Sequence, residues 1–348
     1  MKNYKIAAIN GDGIGHEIVP VSVDVLMATA QKFGFTVETQ SLPFGAGYYQ
    51  EHGDFLPADG LDILRGFDAI LFGAVGLPAV DDTLPFKLFT NKVRTAFKQY
   101  VNYRPVKLLD GIQSPLRTKT QKDIDFIVLR ENNEGEFVQN GRWMYPEEAQ
   151  GFATETNLFT RLGIEKIAHY AFQLARKRRN KVTNVTKSNT LIHTLGYWDK
   201  VIGEVAAQYP DVQYGKMYID AVTASFVLKP EIFDVLLTTN LMGDILSDLC
   251  AGLVGGLGVV PGANIGDEVA IFEAVHGTAP DIAGKGIANP TAVLRSAIMM
   301  LQYLNENEIA KKIDDALDRT LAVKELCTGD LGGKANIETF TRNVIANI

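Results

Sequence analysis

Cysteine is nearly missing. Cys250 and Cys327 are the only two in 348 residues, too few for a disulfide framework and too far apart for a metal knuckle. Positive charge is also scarce. With 34 Lys and Arg against 41 Asp and Glu the formal net charge is −7, which excludes a broad attraction to nucleic acid or to an anionic membrane. A small anionic ligand must therefore be captured by particular arginines. Long apolar runs are absent too: AILFGAVGLPAV and AGLVGGLGVV are both broken by glycine and fall short of the roughly 20 residues of a membrane span. After Met1-Lys2 the first apolar run is IAAI, too short for a signal-peptide core. Repeats and low-complexity segments are lacking as well. The expectations are reduced thiols, a cytoplasmic location, and neither nucleic acid nor membrane as partner.

What is present is the composition of a soluble globular chain, 46% hydrophobic and 22% charged, long enough for two domains. Short apolar runs at 5–9, 36–40, 68–75, 125–130, 181–186, 216–220 and 234–239 read as strands. Helical spacing occupies 16–33, 160–179, 193–208, 243–254, 291–304 and 308–321. This alternation predicts α/β architecture with largely parallel pairing. The polar, aromatic, turn-rich segment 138–156 breaks the rhythm and reads either as a protruding hairpin used for association or as a surface loop. The basic run RKRRNK (176–181) reads as a solvated helix end whose cations complement the helix dipole.

The first strand runs into NGDGIGHE (10–17). Gly11 and Gly13 fit a dinucleotide-binding turn, but His16 stands where Gly or Ala must let helix and strand pack closely. Glu38, 23 residues beyond Gly15, stands where a ribose-binding acid would, but a lone acidic residue at a strand end is common. Glycines at a sharp strand-to-helix turn need no cofactor to explain them.

Four constellations carry chemistry. In DVLLTTNLMGDILSDL (234–249), the spacing predicts Asp244 and Asp248 one helical turn apart on one face, embedded in Leu241, Ile245, Leu246 and Leu249. Like charges so close favour a hard divalent cation such as Mg²⁺ or Mn²⁺, with Asp220, at the end of the strand-like KMYID, as a third ligand. Arg94, Arg104 and Arg130 offer planar forks for carboxylates, and Arg130 ends an apolar strand where charge is costly unless used. Lys187, in TKSNT, is placed for proton transfer. Lastly, FEAVHGTAPDIAGKGIANP (272–290) is a long loop whose small residues admit an adenine and its phosphates. On it lie His276, Gly277, Ala279, Asp281 and Asn289, and Asp281 could accept from both ribose hydroxyls.

Together these motifs resemble the β-decarboxylating dehydrogenases: isopropylmalate, isocitrate, homoisocitrate and tartrate/D-malate dehydrogenases. The resemblance runs from GDGIGHE to KANIETF. It implies an α/β, isopropylmalate/isocitrate dehydrogenase-like fold of two domains sharing a mostly parallel central sheet, and not a Rossmann fold. It implies a discontinuous cofactor-side domain, 1–99 plus 253–348, and a central domain, 100–252, carrying a dimer arm at about 138–156. Arg94, Arg104 and Arg130 match the arginines that clamp substrate carboxylates, and Lys187 the lysine that moves the hydroxyl proton. Asp244 and Asp248 match metal carboxylates of one subunit, and Asp220, with Lys187, those supplied by the partner of a homodimer. NAD, rather than NADP, is implied by Asp281, with Ile14 touching nicotinamide and His276, Gly277, Ala279 and Asn289 along the cofactor. The implied reaction is NAD- and Mg²⁺- or Mn²⁺-dependent oxidation and decarboxylation of a 2-hydroxy di- or tricarboxylate.

The chain departs from the family pattern twice. Phe137 stands where the family has a tyrosine that helps protonate the enol, so a non-decarboxylating dehydrogenase is an alternative. Thr90-Asn91 replaces the Leu-Leu pair of isopropylmalate and tartrate/D-malate enzymes, and the isocitrate pattern is not met at Leu88 and Thr90. GYYQEHGDFLP, QYVNYRP and EGEF lean toward the tartrate/D-malate group, leaving isocitrate or homoisocitrate oxidation, or a weakly active binding or regulatory relative, as the remaining alternatives.

Overall fold

Strands buried on both faces need continuous apolar runs, and the first part of the chain supplies them. In the computed structural model, which describes residues 3–348, β1 (Asn3–Gly11) pairs in parallel with β2 (Thr36–Leu42), Tyr4 opposite Val37. It also pairs with β3 (Ala69–Ala74), Ile6 opposite Ala69. Helix α1 (Gly15–Phe33) joins β1 to β2 and stops at Gly34, whose left-handed backbone lets its N–H reach Ala30 O. Short helices α2 (Ala46–His52) and α3 (Gly60–Arg65) follow β2. After β3, a π-helical turn Pro85–Thr90 runs directly into α4 (Asn91–Ala96). Phe89, Val93 and Phe97 pack with Ile9, Phe44, Phe55 and Phe72 in one buried cluster, which fixes the register of α4 and so the placement of Arg94.

The central elements form a second set. β4 (Val101–Lys107) is followed by β5 (Asp125–Glu131) and an antiparallel hairpin, β6 (Gly141–Met144) and β7 (Phe152–Glu155). Then come α5 (Arg161–Arg176), β8 (Lys181–Thr186), α6 (Thr194–Ala206), β9 (Gln213–Tyr218), α7 (Ile219–Leu228), β10 (Val235–Thr238) and α8 (Asn240–Leu253). Thr160 caps α5, its hydroxyl accepting from Gly163 N at 3.0 Å, and Ile164, Ile167, Ala168, Ala171 and Ala175 bury one face. The strand order is β4-β5-β10-β8-β9. β10, buried at every position, pairs in parallel with β5 and β8.

The chain then returns to the first set. β11 (Pro261–Ile265) is antiparallel to β12 (Ile271–Ala274), and β12 is parallel to β3, giving the order β2-β1-β3-β12-β11. Helices α9 (Thr291–Tyr303), α10 (Asn307–Leu321) and α11 (Ile337–Asn347) complete it. Two units result: the chain up to Gln99 with Lys107–Gln121 and Ala251–Ile348, and Tyr100–Val106 with Lys122–Cys250.

Several expectations change. Segment Lys107–Gln121 lies in the first unit, not the central one, because Ser114 Oγ donates to Leu253 O at 2.7 Å and Gly111 abuts Leu321. KMYID does not end as a strand: β9 stops at Tyr218, and Asp220 occupies the first turn of α7. Residues 272–274 belong to β12, not to the loop that follows. RKRRNK is an anchor rather than a solvated helix end. Arg178 Nε donates to Asp234 at 2.8 Å and Nη2 to Asp125 at 2.7 Å, while Arg179 reaches Phe233 O. Asp234, only 1% exposed, is thereby paired at the entry to β10.

Candidate functional site

Arg130, near the end of β5 and opposite Thr238 of β10, is 2% exposed. A buried guanidinium needs partners, and it has them. Nε donates to Asn240 Oδ1 at 2.8 Å, Nη1 donates to the Asp244 carboxylate, and the Phe137 ring centroid lies 5.2 Å from the guanidinium carbon. Asn240, the first residue of α8, in turn donates to Glu134 O at 3.2 Å. Gly243 permits this approach, since a Cβ there would stand 2.7 Å from Arg130 Cβ. From β4, Arg104 Nε donates to Asn102 Oδ1 at 2.6 Å and Nη1 to Ser247 Oγ at 2.5 Å. The same Nη1 lies 3.9 Å from Asp244 Oδ1 and 3.6 Å from Asp248 Oδ1. One helix face thus presents two carboxylates to one nitrogen. Burial raises the Asp248 carboxyl above its ordinary range and Asp244 adds to this, while Arg104 and Arg130 draw it back.

The donor set suits a hard divalent cation: two carboxylates, with side chains 44% and 58% exposed, next to Arg104 and Arg130. Among the described residues no group of three or more His, Cys, Asp or Glu side chains is arranged to hold a metal. Asp220 is not brought to Asp244 and Asp248 and pairs instead with Lys187. The apolar neighbours are not as the spacing suggested. Leu246 is buried, but Leu241, Ile245 and Leu249 are 39%, 59% and 37% exposed, a stripe at i, i+4 and i+8 facing outward.

Lys187, just after β8, pairs through Nζ with Asp220 Oδ1 at 2.8 Å. That bond holds the exposed Asp220 carboxyl below its usual range. As a surface pair it contributes little to stability.

In the first unit, the turn after β1 meets the loop after β12. Ile14 N–H donates to Thr278 O at 2.9 Å, and a Cβ on Gly13, whose φ is +57°, would sit 2.1 Å from that oxygen. Ile14 itself is buried. His276 accepts or donates through Nδ1 at Gly277 O, 2.9 Å away; its Nε2 is buried without a hydrogen-bond partner among the described residues. Burial also lowers the imidazole pKa. Gly277, Gly284 and Gly286 have nothing within 4 Å of an added methyl, and Asp281 is exposed. An open backbone and an unsatisfied imidazole nitrogen fit a nucleotide. Ala279 carries φ +44°. Asn289 is engaged locally, its Oδ1 accepting from Thr291 N at 3.0 Å and its Nδ2 donating to Asp330 at 2.9 Å. Beside this loop a cavity of 540 Å³ is lined by Thr90, Phe86, Pro85 and Leu77 with Thr278 and Pro280. Asn91 lies next to Thr90 and accepts from Thr95 Oγ1 at 3.4 Å. Arg94, 8% exposed, lies 3.5 Å from Glu273 Oε1.

Glu131 went unread in the sequence. It is 1% exposed and accepts from Asn133 N and Glu134 N, both at 2.8 Å, which shapes the turn behind Arg130. Burial pushes its carboxyl up to about 7, against the two backbone N–H groups that pull it down. A carboxyl raised on folding binds its proton more tightly in the folded state. Its contribution is complete below the unfolded value near 4.5 and is lost as pH rises through about 7. Urea titrations should show wild-type stability falling over that window by on the order of 3 kcal/mol relative to Glu131→Gln. Parallel pH curves for the two proteins would refute it.

The fold and these clusters define an α/β chain of isocitrate dehydrogenase type. The family model of isocitrate/isopropylmalate dehydrogenases matches residues 5–348. A probable tartrate dehydrogenase/decarboxylase of Agrobacterium vitis is 44% identical over 349 residues, covering 99% of this chain and 97% of the relative. The decarboxylating D-malate dehydrogenase of Escherichia coli is 43% identical over 317 residues, covering 88% and 87%. The crystal structure of isocitrate dehydrogenase from Methylococcus capsulatus superposes with a TM-score of 0.91 at 36% identity over 99% of each chain. The chain belongs to the isocitrate/isopropylmalate dehydrogenase family.

Proposed function

We propose that the chain oxidises a 2-hydroxy diacid with NAD and a divalent cation and releases CO₂ from the 3-carboxy-2-keto acid formed. The observation that carries this is the convergence of Asp244 and Asp248 on one face of α8 against two buried arginines. Asp244 and Asp248 would hold the cation, with Asp220 from a second copy. The loop through His276, Gly277, Ala279, Asp281 and Asn289 would hold the dinucleotide beside Ile14. When bound, NAD accepts hydride and the cation acts as a Lewis acid on substrate oxygens. The chain's own residues bind and orient: Arg94, Arg104 and Arg130 grip carboxylates through their forks, and Lys187, oriented by Asp220, takes the hydroxyl proton.

A homodimer with shared sites is supported by apolar side chains left exposed on the central unit. These include the stripe Leu241, Ile245 and Leu249, and Trp143 of the β6–β7 hairpin at 79%. Thr90-Asn91, standing where isopropylmalate enzymes carry a Leu-Leu pair, is less suited to an isopropyl group than to a small polar substrate. The relatives named for D-malate and tartrate point the same way. The test is kcat/KM for NAD reduction across C4 to C7 hydroxy diacids with Mn²⁺, before and after chelation. D-malate or tartrate should exceed isopropylmalate by about tenfold or more, the scale of a misfit apolar group. Isopropylmalate preferred by that factor, or turnover indifferent to chelation, would contradict the proposal.

A dehydrogenase that stops at the keto acid is the second function favoured by an observation. Phe137 lies against Arg130 and has no proton to give an enolate. Assay of the product for CO₂ against a retained carboxylate separates the two.

A further inference from the structure

The segment GDGIGHE does more than turn the chain. We infer that Glu17 is a positioning residue for the dinucleotide, holding the loop 275–290 in its binding conformation; this rests on the proposal above that NAD lies along that loop. Glu17 lies in the first turn of α1 and is half-buried. Its Oε2 accepts from Gly284 N at 2.8 Å and its Oε1 from Gly286 N at 2.7 Å. Upstream on the same loop, Ile14 N–H holds Thr278 O. Gly286 O is in turn held by Ile337 N at 2.9 Å, at the start of α11. The loop is therefore fastened on both sides of Ala279 and Asp281, and on its far side the Glu17 carboxylate uses both oxygens, with Ile337 N–H holding Gly286 O beside it.

A loop of this length with three glycines samples many conformations when free, and a ligand binding it must meet the cost of ordering. Apparent affinity falls in proportion to the fraction of molecules in the competent conformation. Glu17 raises that fraction without touching the ligand. Its own helix does not depend on it, since Ile18, Val19, Val25 and Leu26 are fully buried.

NADH fluorescence titration of the full-length protein tests this directly, without turnover. Glu17→Ala should weaken NADH binding by about tenfold, the value of one hydrogen bond to a charged acceptor at the low end of its range, as suits donors that water can reach. Glu17→Gln, which keeps one of the two oxygens, should fall between it and wild type. The KM for NAD should rise in step, while kcat at saturating NAD, the KM for the hydroxy acid and the Tm stay close to wild type. Variants that bind NADH as tightly as wild type, or more tightly through loss of a negative charge, overturn the inference. So does a parallel loss of Tm, kcat and hydroxy-acid KM, which would make Glu17 a general structural residue. A wild-type protein that binds no NADH overturns the cofactor proposal, and the positioning role falls with it. That outcome is told apart by wild type failing, not only the variants.

Discussion

Arg130→Lys is expected to lower kcat/KM for the hydroxy diacid by about a thousandfold, with the fold retained. Lysine keeps the charge but loses the fork, so one ammonium cannot serve Asn240 Oδ1, the Asp244 carboxylate and a substrate carboxylate together. Two charge-assisted hydrogen bonds at about 2 kcal/mol each amount to roughly 4 kcal/mol, which is about a thousandfold in rate. The arginine's setting adds to this. At 2% exposure no water replaces the lost donor to Asn240, and Phe137 no longer has a planar cation to face. Steady-state kinetics at saturating NAD, with a thermal melt to show that the variant folds, decides the matter. A loss of less than tenfold would place the substrate carboxylate elsewhere.

Local pattern was legible in the sequence; the partners that give it meaning were mostly not. The i, i+4 spacing of Asp244 and Asp248 put both on one helix face from the sequence alone. Their meeting at Arg104 Nη1 requires β4 beside β5, a long-range fact that no periodicity contains. Leu241, Ile245 and Leu249 repeat as a buried stripe would, yet face outward, because spacing says that residues share a face and not what covers it. Asp220 was misplaced by two residues: Ile219, β-branched, continues the strand pattern of KMYID although the chain has already turned into α7. β11 and β12 escaped notice because each is short, and α4 because a π-helical turn precedes it and shifts the period. In GDGIGHE the glycines drew attention while its two carboxylates did not. Their partners are backbone N–H groups, which every residue has, and so no side-chain motif announces them.

Asp12, the other carboxylate of that segment, should cost more stability when removed than Glu17 does. It is 2% exposed, and its Oδ2 accepts from Ala46 N at 2.8 Å and Gly76 N at 2.9 Å, its Oδ1 from Gly47 N at 3.0 Å. One side chain thus joins the turn after β1, the start of α2 and the exit from β3. Asp12→Ala removes the acceptor from three backbone donors at once, of which Ala46 is buried, Gly76 half-buried and Gly47 exposed, so a loss of roughly 3 kcal/mol is expected, carried by the first two. Asp12→Asn, oriented with its oxygen toward Ala46 and Gly76, leaves only the exposed Gly47 N–H unpaired and should lose about 1 kcal/mol or less. Urea unfolding of the two variants against wild type gives the ordering. The contrast with Glu17 follows from burial: Asp12 is itself 2% exposed and one of its donors, Ala46 N, is buried, whereas Glu17 is half-buried and accepts from exposed and half-buried glycines that water can satisfy, so its removal loosens a loop. Equal stability for Asp12→Ala and Asp12→Asn would mean that the shared Oδ2 acceptor is not what holds these three segments together.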